Sequence, residues 1–220
     1  VTAEKPRGRF ITLEGGEGAG KSTQARRLAA FLEQRSLDVV MTREPGGSPG
    51  AEIMRHVLLS GGAEPFGPEA ETMLFAAARR DHLAVTIKPA LERGAWVICD
   101  RFADSTRVYQ GHAGKVPLGF IQALERVTVG EDRPDLTLIL DLPVKVGLAR
   151  VASRGEATDR FEKEGLAFHN KLRAGFKAIA RAEPERCRLI DAAAEADVVA
   201  ESIRQAVTAH FGLAPRLVAP

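Results

Sequence analysis

The stretch Phe10-Ile11-Thr12-Leu13-Glu14-Gly15-Gly16-Glu17-Gly18-Ala19-Gly20-Lys21-Ser22-Thr23 constrains the fold more than any other part of the chain. Its apolar start predicts a short strand, and Lys21 onward predicts a helix. Between them, Gly15, Gly20, Lys21 and Ser22 satisfy G-x-x-x-x-G-K-[ST], the P-loop pattern. Glycines let successive backbone N–H groups turn inward around a phosphate without a Cβ in the way. The helix N-terminus behind them adds its positive dipole end. Lys21 can reach the outer phosphates, and the Ser22 hydroxyl is placed to ligate Mg²⁺. With Gly16, Glu17, Gly18, Ala19 and Thr23 completing the turn, the stretch predicts a site for a nucleoside triphosphate.

At 220 residues the chain is expected to form one domain over 1–220 with a sizeable core. Hydrophobic content of 45% and charged content of 27% are ordinary for a soluble protein. No apolar run approaches the ~20 residues of a membrane span, and no signal-peptide pattern opens the chain. Cys99 and Cys187 sit in separate apolar runs, which predicts reduced core thiols and a cytoplasmic setting. A net charge of +2 gives no case for a nucleic-acid or membrane partner.

Apolar strand-length runs at 10–14, 38–42, 95–99, 136–141 and 187–190 alternate with helical patterns. The helices are expected at 51–60, 69–93 with a bend near Pro89, 103–110, 118–129, 144–154, 161–182 and 196–211. This order predicts an α/β fold, a five-stranded parallel sheet with helices on both faces. Ligands of such sheets bind past the carboxyl ends of the strands. That rule gathers the P-loop, Arg43, Asp100-Arg101 and the segment after Asp141 along one edge.

Asp100, directly after a strand, can hold Mg²⁺ opposite Ser22; capping the next helix is the alternative use of an Asp there. Arg101 has no apolar face to serve and reads as an anion ligand. A GTP switch needs Asn-Lys-x-Asp, and the nearest string, Asn170-Lys171-Leu172-Arg173, lacks the Asp. Phosphoryl transfer to a small acceptor is therefore preferred over switching. Residues 150–161 read as an Arg-rich lid. Arg150 and Arg154 are four apart and share a helix face, Gly155 releases the chain into a loop, and Arg160 follows. Basic residues also favour helix C-termini, which accounts for one arginine better than for three. Cations that arrive only on closure serve phosphoryl transfer best.

Taken together, these strings resemble the thymidylate (dTMP) kinase family of the bacterial type, among P-loop nucleoside-monophosphate kinases, over nearly the full chain. The matching segments are the P-loop, Thr42-Arg43-Glu44-Pro45-Gly46-Gly47, Leu74-Phe75-Ala76-Ala77-Ala78-Arg79, and Asp100-Arg101-Phe102 with Ser105-Thr106 and Tyr109-Gln110-Gly111. Arg133-Pro134-Asp135 and the lid with Asp159-Arg160 complete the set. The resemblance implies dTMP and MgATP as substrates and a homodimer. It implies that Glu17 contacts the acceptor's 3′-hydroxyl, Phe75 stacks on thymine and Arg79 bonds its O4. The implied phosphate ligand is Arg101, helped by Arg43 and Arg55. Ser105, Thr106 and Gln110 fall in the segments that line the base site, and Tyr109 crowds C2′. Without the family, Phe75 reads equally as a core aromatic and Arg79 as a solvated charge. Some members carry a basic residue where this chain has Gly18, so the catalytic cation is expected from the lid. Arg154 is expected as the main one, with Arg150 and Arg160 nearer the adenine and phosphates of ATP. In the family, the peptide before the proline of the second loop is often cis. The rival readings are a UMP or CMP kinase and a non-metabolic P-loop ATPase.

Overall fold

The computed structural model describes residues 6–153 and 160–214. Its centre is a parallel sheet in the order β2-β3-β1-β4-β5, where β1 is Phe10–Gly15, β2 Val39–Arg43, β3 Trp96–Asp100, β4 Leu136–Asp141 and β5 Cys187–Asp191. Strands β1, β3 and β4 are buried at nearly every position, covered on both faces. Alternate residues serve opposite layers. Ile11, Leu13, Ile98 and Leu138 pack with Leu28 and Leu32 of α1 (Lys21–Glu33) and Ile203 and Val207 of α9 (Ala196–Phe211). Phe10, Val97 and Cys99 pack on the other side with Leu83, Ile87 and Leu91. Ile139 meets Leu172 and Phe176 of α8 (Leu166–Ala182). The paired hydroxyls of Thr12 and Thr137, 2.8 Å apart, satisfy each other inside this core.

The remaining helices are α2 (Pro49–Ser60), α3 (Pro68–His82), α4 (Lys88–Glu92), α5 (Ala103–Thr106), α6 (Leu118–Thr128) and α7 (Val144–Ala152). The chain leaves central β1 for β2 on one side and reaches β4 on the other. The crevice where a ligand is expected therefore opens at the carboxyl end of β1. There the register sets Arg43 beside Asp100, and Asp100 beside Leu13. The P-loop, Arg43 and Asp100 share that edge.

Several boundaries differ from the sequence expectation. Strands β2 and β3 each lie one residue later than expected, which places Arg43 and Asp100 in the ladder itself. The long helical run, expected to be interrupted or bent near Pro89, runs from Pro68 to Glu92 and is interrupted just before that proline by a π-helical segment, Leu83–Ile87. Pro89 cannot donate to a carbonyl four residues back, and a widened turn just before it relieves that conflict. A second π-helical segment, Arg107–Ala113, extends α5. Helix α7 ends at Ala152, and α8 starts at Leu166 behind Gly165 instead of at Phe161. Arg154 and half of the expected lid, residues 154–159, lie outside the described residues. The Glu44-Pro45 peptide is cis.

Candidate active site

At the tip of β1 the P-loop turns on Gly18 and Gly20, both at positive φ (68° and 87°), a conformation that only glycine takes without strain. Gly20 directly precedes α1, so the N-terminus of α1 points into the loop. The Lys21 ammonium is buried and donates to the carbonyls of Gly16 (2.9 Å) and Gly15 (3.3 Å). Burial, then the nearby Arg101 charge, lowers its pKa. The Ser22 hydroxyl donates to Asp100 Oδ2 at 2.5 Å.

Arg101 is the hub between the P-loop and the rest of the cleft. It is a non-glycine residue at φ 70°, a strained conformation that turns its side chain back over the end of β1. The guanidinium donates to Glu17 Oε1 (2.7 Å), Gly15 O (3.0 Å) and Ser105 Oγ (3.3 Å). Burial alone would raise the Glu17 carboxyl. Arg101, then Lys21, overcome it and hold that group down at about 2. The Tyr109 hydroxyl also donates to Glu17 Oε1, and burial raises the Tyr109 pKa.

Beneath this hub lies Glu14, which no sequence expectation covered. It is fully buried and accepts from Phe102 N (2.8 Å), Ser105 N (3.2 Å) and Ser105 Oγ (2.6 Å). Burial, reinforced by Asp104, pushes its carboxyl from 4.5 up to about 7. A folded-state value above the unfolded one means that Glu14 favours the fold below pH ~4.5 and loses that contribution as pH rises through about 7. Relative to Glu14→Gln, the wild type is expected to lose on the order of 3 kcal/mol across that window. Urea unfolding of both proteins at pH 5 and pH 8 measures it, and a difference that does not move with pH contradicts the assignment.

The acceptor-side wall comes from α3, α5 and the π-helical segment after it. Phe75 and Arg79, one turn apart on α3, both line a cleft of about 520 Å³ that also contains Lys21, Ser22, Arg43, Arg55, Asp100, Arg101, Ser105, Thr106, Tyr109 and Gln110. Arg79 is not a solvated charge. It is only 5% exposed and donates to Glu44 Oε2 (2.8 Å), Thr106 Oγ1 (3.0 Å) and the Phe102 carbonyl (3.3 Å). Glu44 also faces His82 Nδ1 at 3.1 Å, so a buried carboxylate aims Arg79. Arg43 is paired with Glu52, and Arg55 donates to the Pro45 carbonyl. Gln110 donates to Glu71 at 3.3 Å. Glu44, Arg26 and, behind Gln110, Glu71 belong to this region and were missed by sequence reasoning; Phe161, the last residue of the expected lid, also lines the cleft. The Phe161 ring sits 6.3 Å from Phe75 and 5.4 Å from Tyr109. The signal for Glu44 was its place in the Thr42-to-Gly47 string; Phe161 follows the Asp159-Arg160 pair.

Of the expected lid arginines, Arg150 donates to the Ala192 carbonyl (3.4 Å) beyond β5. Arg160 is not placed on the ATP side in this structure. It pairs with Glu64 (2.7 Å) and Glu71, on the wall that carries Phe75 and Gln110, because those carboxylates offer it partners. Arg154 lies outside the described residues.

Ser22 and Asp100 are hard oxygen donors facing each other beside the phosphate cradle, and they fit Mg²⁺. No cluster of three or more His, Cys, Asp or Glu suited to a metal occurs among the described residues. Such a sparse set suits an ion carried in mainly by phosphates and water.

A P-loop at the tip of a central parallel strand, opening into a cleft whose far wall holds buried arginines, defines a P-loop nucleotide kinase of the nucleoside-monophosphate class. Comparison with known proteins gives the family. The thymidylate kinase family model matches residues 13–203. A thymidylate kinase of Nitrobacter winogradskyi is 60% identical over 203 residues, 91% of this chain and 88% of the relative. One from Bradyrhizobium diazoefficiens is 59% identical over 209 residues, 94% and 92% of the two chains. The crystal structure of thymidylate kinase from Ehrlichia chaffeensis superposes with a TM-score of 0.73 at 32% identity, covering 92% of this chain and 99% of that one. The chain belongs to the thymidylate kinase family, and phosphorylation of dTMP is the activity that membership carries.

Proposed function

We propose that the protein transfers the γ-phosphoryl group of ATP to dTMP, giving dTDP and ADP. The carrying observation is the single cleft that joins Lys21 and Ser22 of the P-loop to Phe75, Arg79 and Gln110 through Arg101. The P-loop amides and Lys21 cradle the triphosphate. Arg101, with Arg43 and Arg55, holds the acceptor phosphate in line. An acceptor phosphate oxygen attacks the γ-phosphorus while the bond to the bridging β-oxygen breaks, so no protein nucleophile is needed. Ser22 and Asp100 would hold Mg²⁺, which when bound would supply charge neutralisation for the phosphates. Glu17, kept ionised by Arg101, accepts from the 3′-hydroxyl. The lid, 150–161, brings Arg154 to the migrating phosphate and excludes water.

The whole chain acts as one kinase domain. The apolar side chains exposed on α2, α3 and α6, Ile53, Met73 and Val127, support a homodimer through that face. The free buried cysteines Cys99 and Cys187 fit a reducing, cytoplasmic compartment. No described helix is long and apolar enough to cross a membrane.

Phe75→Ala is expected to raise the KM for dTMP about 10-fold, in keeping with the loss of one base–aromatic stack, and to leave the KM for ATP unchanged. An unchanged dTMP KM would remove Phe75 from the base site. Phosphorus NMR of a reaction with ATP and dTMP tests the transfer itself. Equal amounts of dTDP and ADP are expected, whereas ADP with inorganic phosphate alone would indicate an ATPase.

A further inference from the structure

The P-loop and α7 touch backbone to backbone through two glycines. A Cβ at Gly147 would lie 2.3 Å from the Glu17 carbonyl oxygen, and a Cβ at Gly18 would lie 2.1 Å from the Gly147 carbonyl oxygen. Both obstacles are main chain, so no flexible side chain can yield. Gly147 is also the one buried residue of α7. Its flat backbone therefore sets how close the helix comes to the loop tip, and Arg150 follows one turn later on the same helix. Glu17, whose carbonyl rests against Gly147, carries the carboxylate paired with Arg101 and Tyr109.

We propose that Gly147 is a positioning residue for phosphoryl transfer: its missing side chain lets α7 lock the 17–18 peptide, and with it the tip of the phosphate cradle and the Glu17–Arg101 pair. This rests on the reading of the P-loop as the ATP cradle. The same contact explains why position 18 carries no side chain here. Any residue larger than glycine at 18 would push against the backbone of α7, and a basic one could not enter the cradle without displacing the helix that leads to the lid.

Gly147→Ala tests this: alanine is the better helix former, so any loss traces to the contact with the P-loop and not to helix propensity. The expected result is a kcat per folded molecule at least 10-fold below wild type. Amide hydrogen exchange should be faster at residues 15–20 and in α7, and unchanged in β3 and α8. Gly119→Ala in α6, where an added Cβ meets nothing within 4 Å, should match wild type in every readout. A Gly147→Ala protein with wild-type kcat, or one with unaltered P-loop exchange, overturns the proposal. Should the variant be unstable, kcat per folded molecule and P-loop exchange at 15 °C decide it on the same criteria. A wild type that transfers no phosphate to dTMP would instead overturn the reading of the site, a result separable from failure at Gly147.

Discussion

Arg101→Ala is expected to lower kcat/KM for dTMP about 10³-fold, equivalent to about 4 kcal/mol of transition-state stabilisation. Two losses add. The acceptor phosphate loses the guanidinium proposed to hold it in line, and Glu17 loses the partner that holds its carboxyl down at about 2. Removing one member of a buried ion pair costs about 3–5 kcal/mol; Lys21 and Tyr109 remain beside Glu17, so the stability loss should fall at the lower end. Arg101→Lys keeps the charge but cannot reach Glu17, Gly15 and Ser105 together, as the fork of the guanidinium does. It is expected to recover only part of the activity. Steady-state kinetics and urea unfolding check both variants, and an Arg101→Ala enzyme within five-fold of wild type contradicts the assignment.

Arg154→Ala is expected to reduce kcat about 10³-fold, with the KM for dTMP and the Tm nearly unchanged. Position 18 of the P-loop carries no side chain, and the backbone of Gly147 closes it. Of the arginines of the proposed lid, Arg150 rests on the Ala192 carbonyl and Arg160 on Glu64 and Glu71. The proposal therefore gives the migrating phosphate to Arg154. A kcat within a few-fold of wild type would move that role to another residue, with Arg150→Ala the next variant to measure.

The fold was legible in the sequence because β1, β3 and β4 are covered on both faces and so read as mainly apolar runs of strand length. The P-loop was legible because its chemistry is local, written in consecutive residues. What stayed hidden depends on distance. Nothing near Glu14 in sequence shows that Phe102 and Ser105 will donate to it across the sheet edge. Arg79 and Glu44 are likewise brought together only by packing of α3 against the loop after β2. The π-helical segment before Pro89 escaped notice because a proline marks a conflict without saying how it will be relieved. The Gly18–Gly147 contact left no trace in the pattern, since a helical glycine looks the same whether it faces solvent or another backbone.

One cleft is proposed to grip ATP at the P-loop and to present thymidine monophosphate to it. A coupled assay of ADP formation with dTMP, dUMP, UMP and CMP as competing acceptors tests it most directly. The highest kcat/KM is expected for dTMP, with the ribonucleotides far below it under the proposed crowding of C2′ by Tyr109. Faster turnover of UMP or CMP than of dTMP, or ADP formation that ignores the acceptor, would contradict it.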